Sequence, residues 1–296
     1  MIGYLGPLFT NSHEAAKRLF GEAATLVPFP AISRIFDALI RGEIQAGVVP
    51  IENSIEGTVR ETVDNLIVQS PRIAREFELP IVHCLVQSPS GVKSQARRVL
   101  SHVQALSQCR RFLDAHFPNL ERIAVSSTAQ GAEDAARDPE ALAISSPSAA
   151  LELNLKVLEE NISDRNDNAT RFVVVSADDA LPSPHAASED KTSLVFVAPH
   201  ERGGLRKVLG VFDDASVNLT RIESRPLVGL HGPRWEYAFV VDAEGHRSTP
   251  PLQGALEELQ AMGALVKVLG SYPRAVASFG RALDVSLAPR PRADEE

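Results

Sequence analysis

The sequence predicts an α/β fold with mostly parallel sheets, followed by a smaller ferredoxin-like βαββαβ unit. Three observations carry this prediction. Up to Val175, short apolar runs alternate with amphipathic stretches of helical period. The segment "SADDALPSPHAASEDK" then breaks the rhythm with prolines, small residues and acids, as a linker does. After it the order becomes strand, helix, two strands, helix, strand, which is the ferredoxin-like plan.

The elements follow in order. "MIGYLG" reads as a short strand ending at Gly6-Pro7, and "SHEAAKRLF" as a helix stopped by Gly21. "ATLVPF" is a second strand. "SRIFDALIRG" is a helix with Ile35, Phe36, Leu39 and Ile40 on one face and Gly42 as its stop. "AGVVPI" is a buried strand, after which Thr58 and Glu61 have the spacing of a capping box, and Val59, Val63, Leu66 and Ile67 continue a helical stripe. "ELPIVHCLVQ" resumes the pattern, and "RRVLSHVQALSQCRRFLDAHF" contains a second capping-box pair, Ser101 and Gln104. "RIAVSS" is a strand, and Ser127 with Gln130 caps the helix "TAQGAEDAAR". "ALAIS" is a strand, and Ser146-Pro147 opens the next helix with proline at its first position. In the second unit "KTSLVFVAP" is a strand and "GGLRKVLGVFDDAS" a helix. "NLTRIESRPL" and "RWEYAFVVDAEG" can pair antiparallel, "PLQGALEELQAMG" is a helix, and "LVKVLGSY" closes the unit.

Composition narrows the function. A chain of 296 residues exceeds what one core usually supports, so two domains are expected. The net charge is -8 and no basic block occurs, which excludes nucleic acid or an anionic membrane as the main partner. No apolar run approaches the roughly 20 residues of a membrane span. "MIGYLGPLF" lacks a basic n-region, so the expectation is a soluble cytoplasmic protein. The two cysteines, Cys84 and Cys109, have no metal spacing around them and read as buried reduced thiols.

Several strand-to-helix junctions of the first unit are polar: "GPLFTNSH", "PIENSIEGT", "VLSHVQ" and "SSTAQG". Helix N-termini offer free N–H donors, and in open α/β sheets they gather at the carboxyl ends of strands, where ligands bind. An anion site is the implication. Ser101 and Ser127 are also explained as simple N-caps. His13 and His102 read as solvated or packed, and His83 as a satisfied core histidine. Asn53 and Ser54 stand in a polar loop that capping does not explain.

"GVVPIENSIEGTV", "SHVQALSQCRRFL", "NDNATRF" and "NLTRIESRP", in this order, resemble the monofunctional prephenate dehydratases that carry a C-terminal regulatory ACT domain. The likeness covers nearly the whole chain. It implies a catalytic domain at 1–178 shaped like type II periplasmic binding proteins, with one lobe at 1–78 plus 165–178 and the other at 79–164. A linker at 179–191, an ACT domain at 192–274 and a tail at 275–296 would follow. Prephenate would lose water and carbon dioxide to give phenylpyruvate, with no metal or organic cofactor. Arogenate or a modified prephenate is the alternative substrate, and a non-catalytic amino-acid sensor the alternative class.

The same resemblance assigns Thr170 as proton donor to the leaving hydroxyl, with Asn53, Glu52 and Gln108 in the catalytic set. Ser54, Ser101, Arg171, Thr10 and Ser12 would bind substrate. Phenylalanine would inhibit from a site built by Gly203, Gly204, Leu205, Asn218, Leu219, Glu223, Ser224, Arg225 and Pro226, in a homodimer or homotetramer joined through ACT domains. Strand alternation points Thr170 and Arg171 to opposite faces, so both reach the cleft only if the chain is irregular there. "GPLFTNSHEA" departs from the family's opening motif at Phe9, where the family has glycine, and at Asn11, where it has phenylalanine. A glycine needed for φ > 0 would make Phe9 alter this loop and put substrate preference in question.

Overall fold

The computed structural model describes residues 1–177, 189–227 and 236–275. The first lobe contains β1 (Ile2–Leu5), α1 (Asn11–Phe20), β2 (Leu26–Phe29), α2 (Ile32–Ile40), β3 (Ala46–Asn53), β4 (Gly57–Thr58), α3 (Arg60–Val68) and β5 (Arg72–Pro80). The chain crosses into β6 (Cys84–Gln87), β7 (Arg98–His102), α4 (Val103–Gln108), α5 (Arg110–His116), β8 (Glu121–Val125), α6 (Thr128–Arg137), β9 (Ala141–Ser145), α7 (Pro147–Glu152) and β10 (Lys156–Glu159). It returns as β11 (Ala169–Ser176). The last unit is β12 (Asp190–Val197), α8 (Gly204–Asp214), β13 (Leu219–Pro226), β14 (Tyr237–Glu244), α9 (Pro250–Ala261) and β15 (Leu265–Pro273).

Three sheets result. The first runs β2-β1-β3-β11-β5 with β4 beside β3, the second β10-β6-β9-β7-β8, and the third β13-β14-β12-β15. The third sheet is antiparallel throughout, as a βαββαβ order requires. The expectation of mostly parallel sheets is corrected in the other two. β1 pairs parallel with β2 and β3, and β7 with β8 and β9. β11, however, runs antiparallel to both β3 and β5, and β6 antiparallel to β9 and β10. These are the strands at the crossings between lobes, where no βαβ turn sets direction.

Local signals explain most boundaries. Ser127 and Ser146 accept from the Gln130 and Ala149 backbone N–H groups, as N-caps should. Ile35, Phe36 and Leu39 are buried under the first sheet, while Ile40 is exposed. Two expected caps are corrected. Thr58 does not cap α3; it belongs to β4, and Val59 is the N-cap without a side-chain bond. Glu61 instead accepts from the Ser33 N–H. Ser101 lies in β7, and His102 caps α4, its Nδ1 accepting from Gln104 N–H. The long stretch to Phe117 is thus a strand and two short helices that meet at Cys109. Cys84 and Cys109 are buried and unpaired, and burial pushes the Cys109 thiol up to about 12.

The third sheet is docked on the first lobe. Ile73 and Val175 share one core with Val195, Val240, Leu269 and Tyr272. Lys267 Nζ donates to the carbonyls of Leu66, Ile67 and Gln69 at the end of α3 at 2.6–2.9 Å, where a cation suits both the free carbonyls and the dipole. Arg225 forks onto Asp64. β12 begins at Asp190, inside the stretch expected as linker; most of that linker and the tail after Ala275 lie outside the described residues.

Candidate active site

The two lobes enclose a cavity of about 570 Å³. The first lobe lines it with Gly6, Thr10, Asn11, Ser12, Asn53 and Thr170, and the second with His83, His102, Gln104, Gln108, Ser127 and Thr128. The walls therefore come from the carboxyl ends of β1, β3, β7 and β8 and from the helices that follow, as the polar junctions imply. The first residues of α1 and α6 face the space. No hydrogen-bond partner occurs for the N–H groups of Asn11, Ser12, Thr128 and Ala129 among the described residues, so each helix presents donors and a positive dipole end. No Lys or Arg is among the described lining residues, and Glu56 is the acidic one.

Thr170 and Asn53 are partners in the register of β11 and β3. Asn53 Nδ2 donates to Thr170 Oγ1 at 2.9 Å and to Asn168 Oδ1 at 2.8 Å. Its Oδ1 accepts from the N–H groups of Ile55 and Glu56 at 2.9 and 3.0 Å. The amide is thereby fixed with its donor toward the hydroxyl. Thr170 Oγ1 accepts, and its own proton has no protein acceptor among the described residues. Across the cleft, Gln108 Oε1 accepts from Asn168 Nδ2 and meets His83 Nε2, both at 3.0 Å, while Gln108 Nε2 donates to Glu56 Oε1 at 3.3 Å. Amides thus chain from Glu56 to Thr170 and bridge the lobes. Burial holds the His83 imidazole below its ordinary value, against the opposing hydrogen bond with Gln108.

The expected site residues separate into groups. Thr170, Asn53, Gln108, Thr10 and Ser12 line the cavity. Thr10 is the N-cap of α1: its Oγ1 accepts from His13 N–H and donates to the Pro7 carbonyl at 3.0 Å. Ser54 stitches the loop beside the cavity, donating to Asp167 O and accepting from Ala169 N–H. Ser101 is fully buried beneath the cavity wall and donates to Ile144 O at 2.8 Å, because it is a strand residue on the inner face.

Arg171 and Glu52 also stand elsewhere than expected. β11 and β3 stay regular enough for alternation to hold, so these two residues emerge on the face opposite Thr170 and Asn53. There Arg171 meets Glu52 at 2.8 Å, Glu76 at 3.2 Å and Asp242 at 2.7 Å. Burial alone would lower the Arg171 pKa, but Asp242, Tyr272 and Glu76 more than offset it and raise the value. Arg171 is therefore committed to protein carboxylates.

Sequence reasoning set His83 and His102 aside and passed over Asn168, Gln104, Glu56 and Phe172, all of which line the cavity. His102 could have been found as the residue between a strand end and a helix, and Asn168 as the immediate neighbour of the threonine segment. Phe9 takes φ 65°, a left-handed conformation, and its N–H donates to His13 Nδ1 at 3.2 Å. The position does use the geometry a glycine would supply. Among the described residues no group of three or more His, Cys, Asp or Glu side chains converges as metal ligands.

In the third sheet, Gly203 is left-handed at φ 79° and caps α8, and a Cβ on Gly204 would lie 2.2 Å from Pro199 O. Leu205 packs against the core between α8, α9 and the sheet. Asn218 and Leu219 line a shallow surface depression of about 460 Å³. Ser224 and Pro226 are exposed on β13. Glu223 and Arg225 alternate to the other side and face the first lobe, where Glu223 is hydrogen-bonded to Thr58 and to Arg221, and Arg225 to Asp64.

The prephenate dehydratase family model matches residues 2–180, and the ACT domain model residues 192–261. The chain is 38% identical to the bifunctional chorismate mutase/prephenate dehydratase of Stutzerimonas stutzeri, over 93% of this chain and 73% of that one. It is 35% identical to the prephenate dehydratase of Bacillus subtilis, over 92% of this chain and 98% of its relative. Among solved structures, the prephenate dehydratase of Arthrobacter aurescens in complex with L-Phe superposes with TM-score 0.83 at 37% identity, covering 93% of this chain and 90% of that one. With the family's model spanning both lobes and an ACT domain behind them, the chain belongs to the prephenate dehydratase family.

Proposed function

We propose that this protein converts prephenate to phenylpyruvate and that phenylalanine inhibits it through the ACT domain. The observation that carries the reading is the Asn53–Thr170 pair: a hydroxyl that lines an interlobe cavity and whose oxygen is held by an amide donor. As the ring carboxylate leaves as carbon dioxide, its bonding electrons enter the ring and the C–O bond to the hydroxyl breaks. Thr170 gives its proton to that hydroxyl, which departs as water. An alcohol hydroxyl and water are acids of similar weakness, so the transfer is roughly matched. Asn53 Nδ2 stabilises the alkoxide that develops on Thr170, which is then reprotonated from solvent. The N-termini of α1 and α6 supply donors for the two carboxylates of the substrate.

A second reading rests on Glu56. It is a carboxylate in a lining without Lys or Arg, which suits the ammonium group that arogenate carries and prephenate lacks. Purified protein given prephenate, then arogenate, separates these readings by the ratio of kcat/KM. Phenylpyruvate formed from prephenate is followed by its ultraviolet absorbance in base, with and without phenylalanine, and phenylalanine formed from arogenate is followed by amino-acid analysis. No turnover of either substrate would leave a non-catalytic sensor; turnover insensitive to phenylalanine would remove the regulatory half alone.

The effector reading draws on the Arthrobacter relative, which was solved with L-Phe. Gly203 is exposed at the start of α8, and Asn218 and Leu219 line a depression, whereas Gly204 is buried. Assembly through ACT sheets belongs to the same proposal. β13 is an edge of its sheet and exposes Ile222 at 50%, so a second copy has a strand to pair with.

A further inference from the structure

We propose that Asp242, on the ACT sheet, is a positioning residue for the Thr170 hydroxyl and acts through Arg171. The inference rests on the reading that Thr170 is the proton donor. It begins at a weak point of the first sheet. Arg171 pairs with Glu52 on β3, but Phe172 pairs with Pro50, so β3 carries one extra residue beside the catalytic pair. The bulge disrupts the ladder locally on the β3 side, while β11 stays paired with β5 from Ala169 to Val174, so what remains to be pinned is the β3 side.

Arg171 is the pin. Its guanidinium reaches Asp242 Oδ2 at 2.7 Å and Glu76 Oε2 at 3.2 Å through Nη1. Nη2 lies 2.8 Å from Glu52 Oε2, the carboxylate next to Asn53. The partners are themselves held. Ser193 donates to Asp242 Oδ1 at 2.5 Å and shares a hydrogen bond with Tyr272. Lys191 contacts both oxygens of Glu76 at 2.9 Å. Arg171, Lys191, Glu76 and Asp242 therefore form a buried set of two cations and two carboxylates, and with Glu52 three strands of two domains converge on the Arg171 side chain. Loss of one member leaves a buried charge uncompensated, and the others must move to serve it.

The part that responds is the Thr170–Arg171 peptide, where the ladder to β3 is interrupted. Arg171 is one peptide unit from Thr170, and their side chains emerge on opposite faces. A guanidinium drawn toward Glu52 and Glu76 rotates the backbone that aims the hydroxyl. Misplacement of a reacting group by about 1 Å can cost on the order of 10²-fold in rate. The carboxylate of a regulatory domain thus sets the geometry of a hydroxyl on the far side of the sheet, apart from any residue of the proposed effector site.

The test compares Asp242→Asn in the natural chain and in a Thr170→Ala chain. The expected result is a kcat loss of about 10-fold with KM within about two-fold in the natural chain, and no further loss of the residual rate in the Thr170→Ala chain. An equal loss in both backgrounds, or no loss in either, overturns the proposal. Should Asp242→Asn not fold, Ser193→Ala removes only the hydroxyl that orients Asp242 and is read by the same comparison. Should the natural chain prove inactive on both prephenate and arogenate, the catalytic reading is wrong and the positioning is read instead by amide hydrogen exchange. Faster exchange at Thr170 and Phe172 in Ser193→Ala supports it, and unchanged exchange overturns it.

Discussion

Asn53 and Thr170 lie opposite one another on adjacent strands, and the Asn53 amide donates to the Thr170 hydroxyl at 2.9 Å while its oxygen is held by two backbone N–H groups. The amide cannot turn without losing both of those bonds. In the proposed mechanism its donor stands ready for the charge that would form on Thr170, with no reorganisation needed at the moment of proton transfer.

Thr170→Ala should lower kcat at least about 10²-fold, since it removes the proposed general acid. Asn53→Asp should lower it by about the same factor, because an aspartate accepts the threonine proton rather than leaving it for the substrate. Both variants should keep a thermal midpoint near that of the natural chain, and steady-state kinetics with a melting curve check the pair. A rate for Thr170→Ala near the natural one would remove the hydroxyl from the mechanism.

How far the site was legible follows from these residues. Periodicity and caps located the strands and the helices whose ends form the cavity, because those signals are local. The order of motifs pointed to Thr170 and Asn53, which line the cavity, and strand alternation puts Arg171 on the opposite face. What sequence could not supply was the partner of the far face. Nothing near Arg171 in the chain announces Asp242, 71 residues away on another sheet. Thr58 has the spacing of a capping box, yet it bonds to Glu223 from the ACT domain. Ser101 failed for the same reason: a serine three residues before Gln104 fits a cap, but a buried strand claimed it.

The position of Phe9 makes a prediction about its backbone. A non-glycine residue in the left-handed region costs roughly 1–2 kcal/mol. The Phe9 ring recovers part of this by its edge-on contact with His13, with centroids 6.3 Å apart. Phe9→Ala loses the ring and keeps the strain; Phe9→Gly loses the ring and the strain. Phe9→Gly should therefore be more stable than Phe9→Ala by about 1 kcal/mol in urea unfolding. Equal midpoints would show that the loop relaxes out of φ 65° once the ring is gone.

Acid should weaken the fold through His83. Burial places its folded pKa below the ordinary value of 6.5. Between the two values the unfolded chain binds more protons than the folded one, so stability rises with pH across that window and is lost as pH falls below about 6.5. One such group contributes at most about 1.4 kcal/mol per pH unit. His83→Asn should flatten the dependence between pH 7.5 and pH 5.5, as urea midpoints at the two values will show. His13 is also lowered, by burial first, so part of the slope should survive. An unchanged slope would mean that His83 takes up its proton in the folded state without cost.

At Gly270 the backbone of the ACT sheet packs directly against the backbone of the first lobe. A Cβ there would lie 2.1 Å from Ile73 O and 2.9 Å from its carbonyl carbon, and a backbone group cannot swing aside as a side-chain end can. β15 and β5 approach along this contact, and the shared core of Ile73, Val195, Leu269 and Tyr272 lies beside it. Gly270→Ala must push the sheets apart, at a cost of about 1–3 kcal/mol typical of overpacking. The displaced strands carry Tyr272 and Glu76, both part of the hydrogen-bonded and charged set around Arg171. Gly270→Ala should thus lower both the urea midpoint and kcat, whereas Gly210→Ala, where an added Cβ meets nothing within 4 Å, should lower neither. A Gly270→Ala chain with lowered stability but natural kcat would show that docking and catalysis are separable.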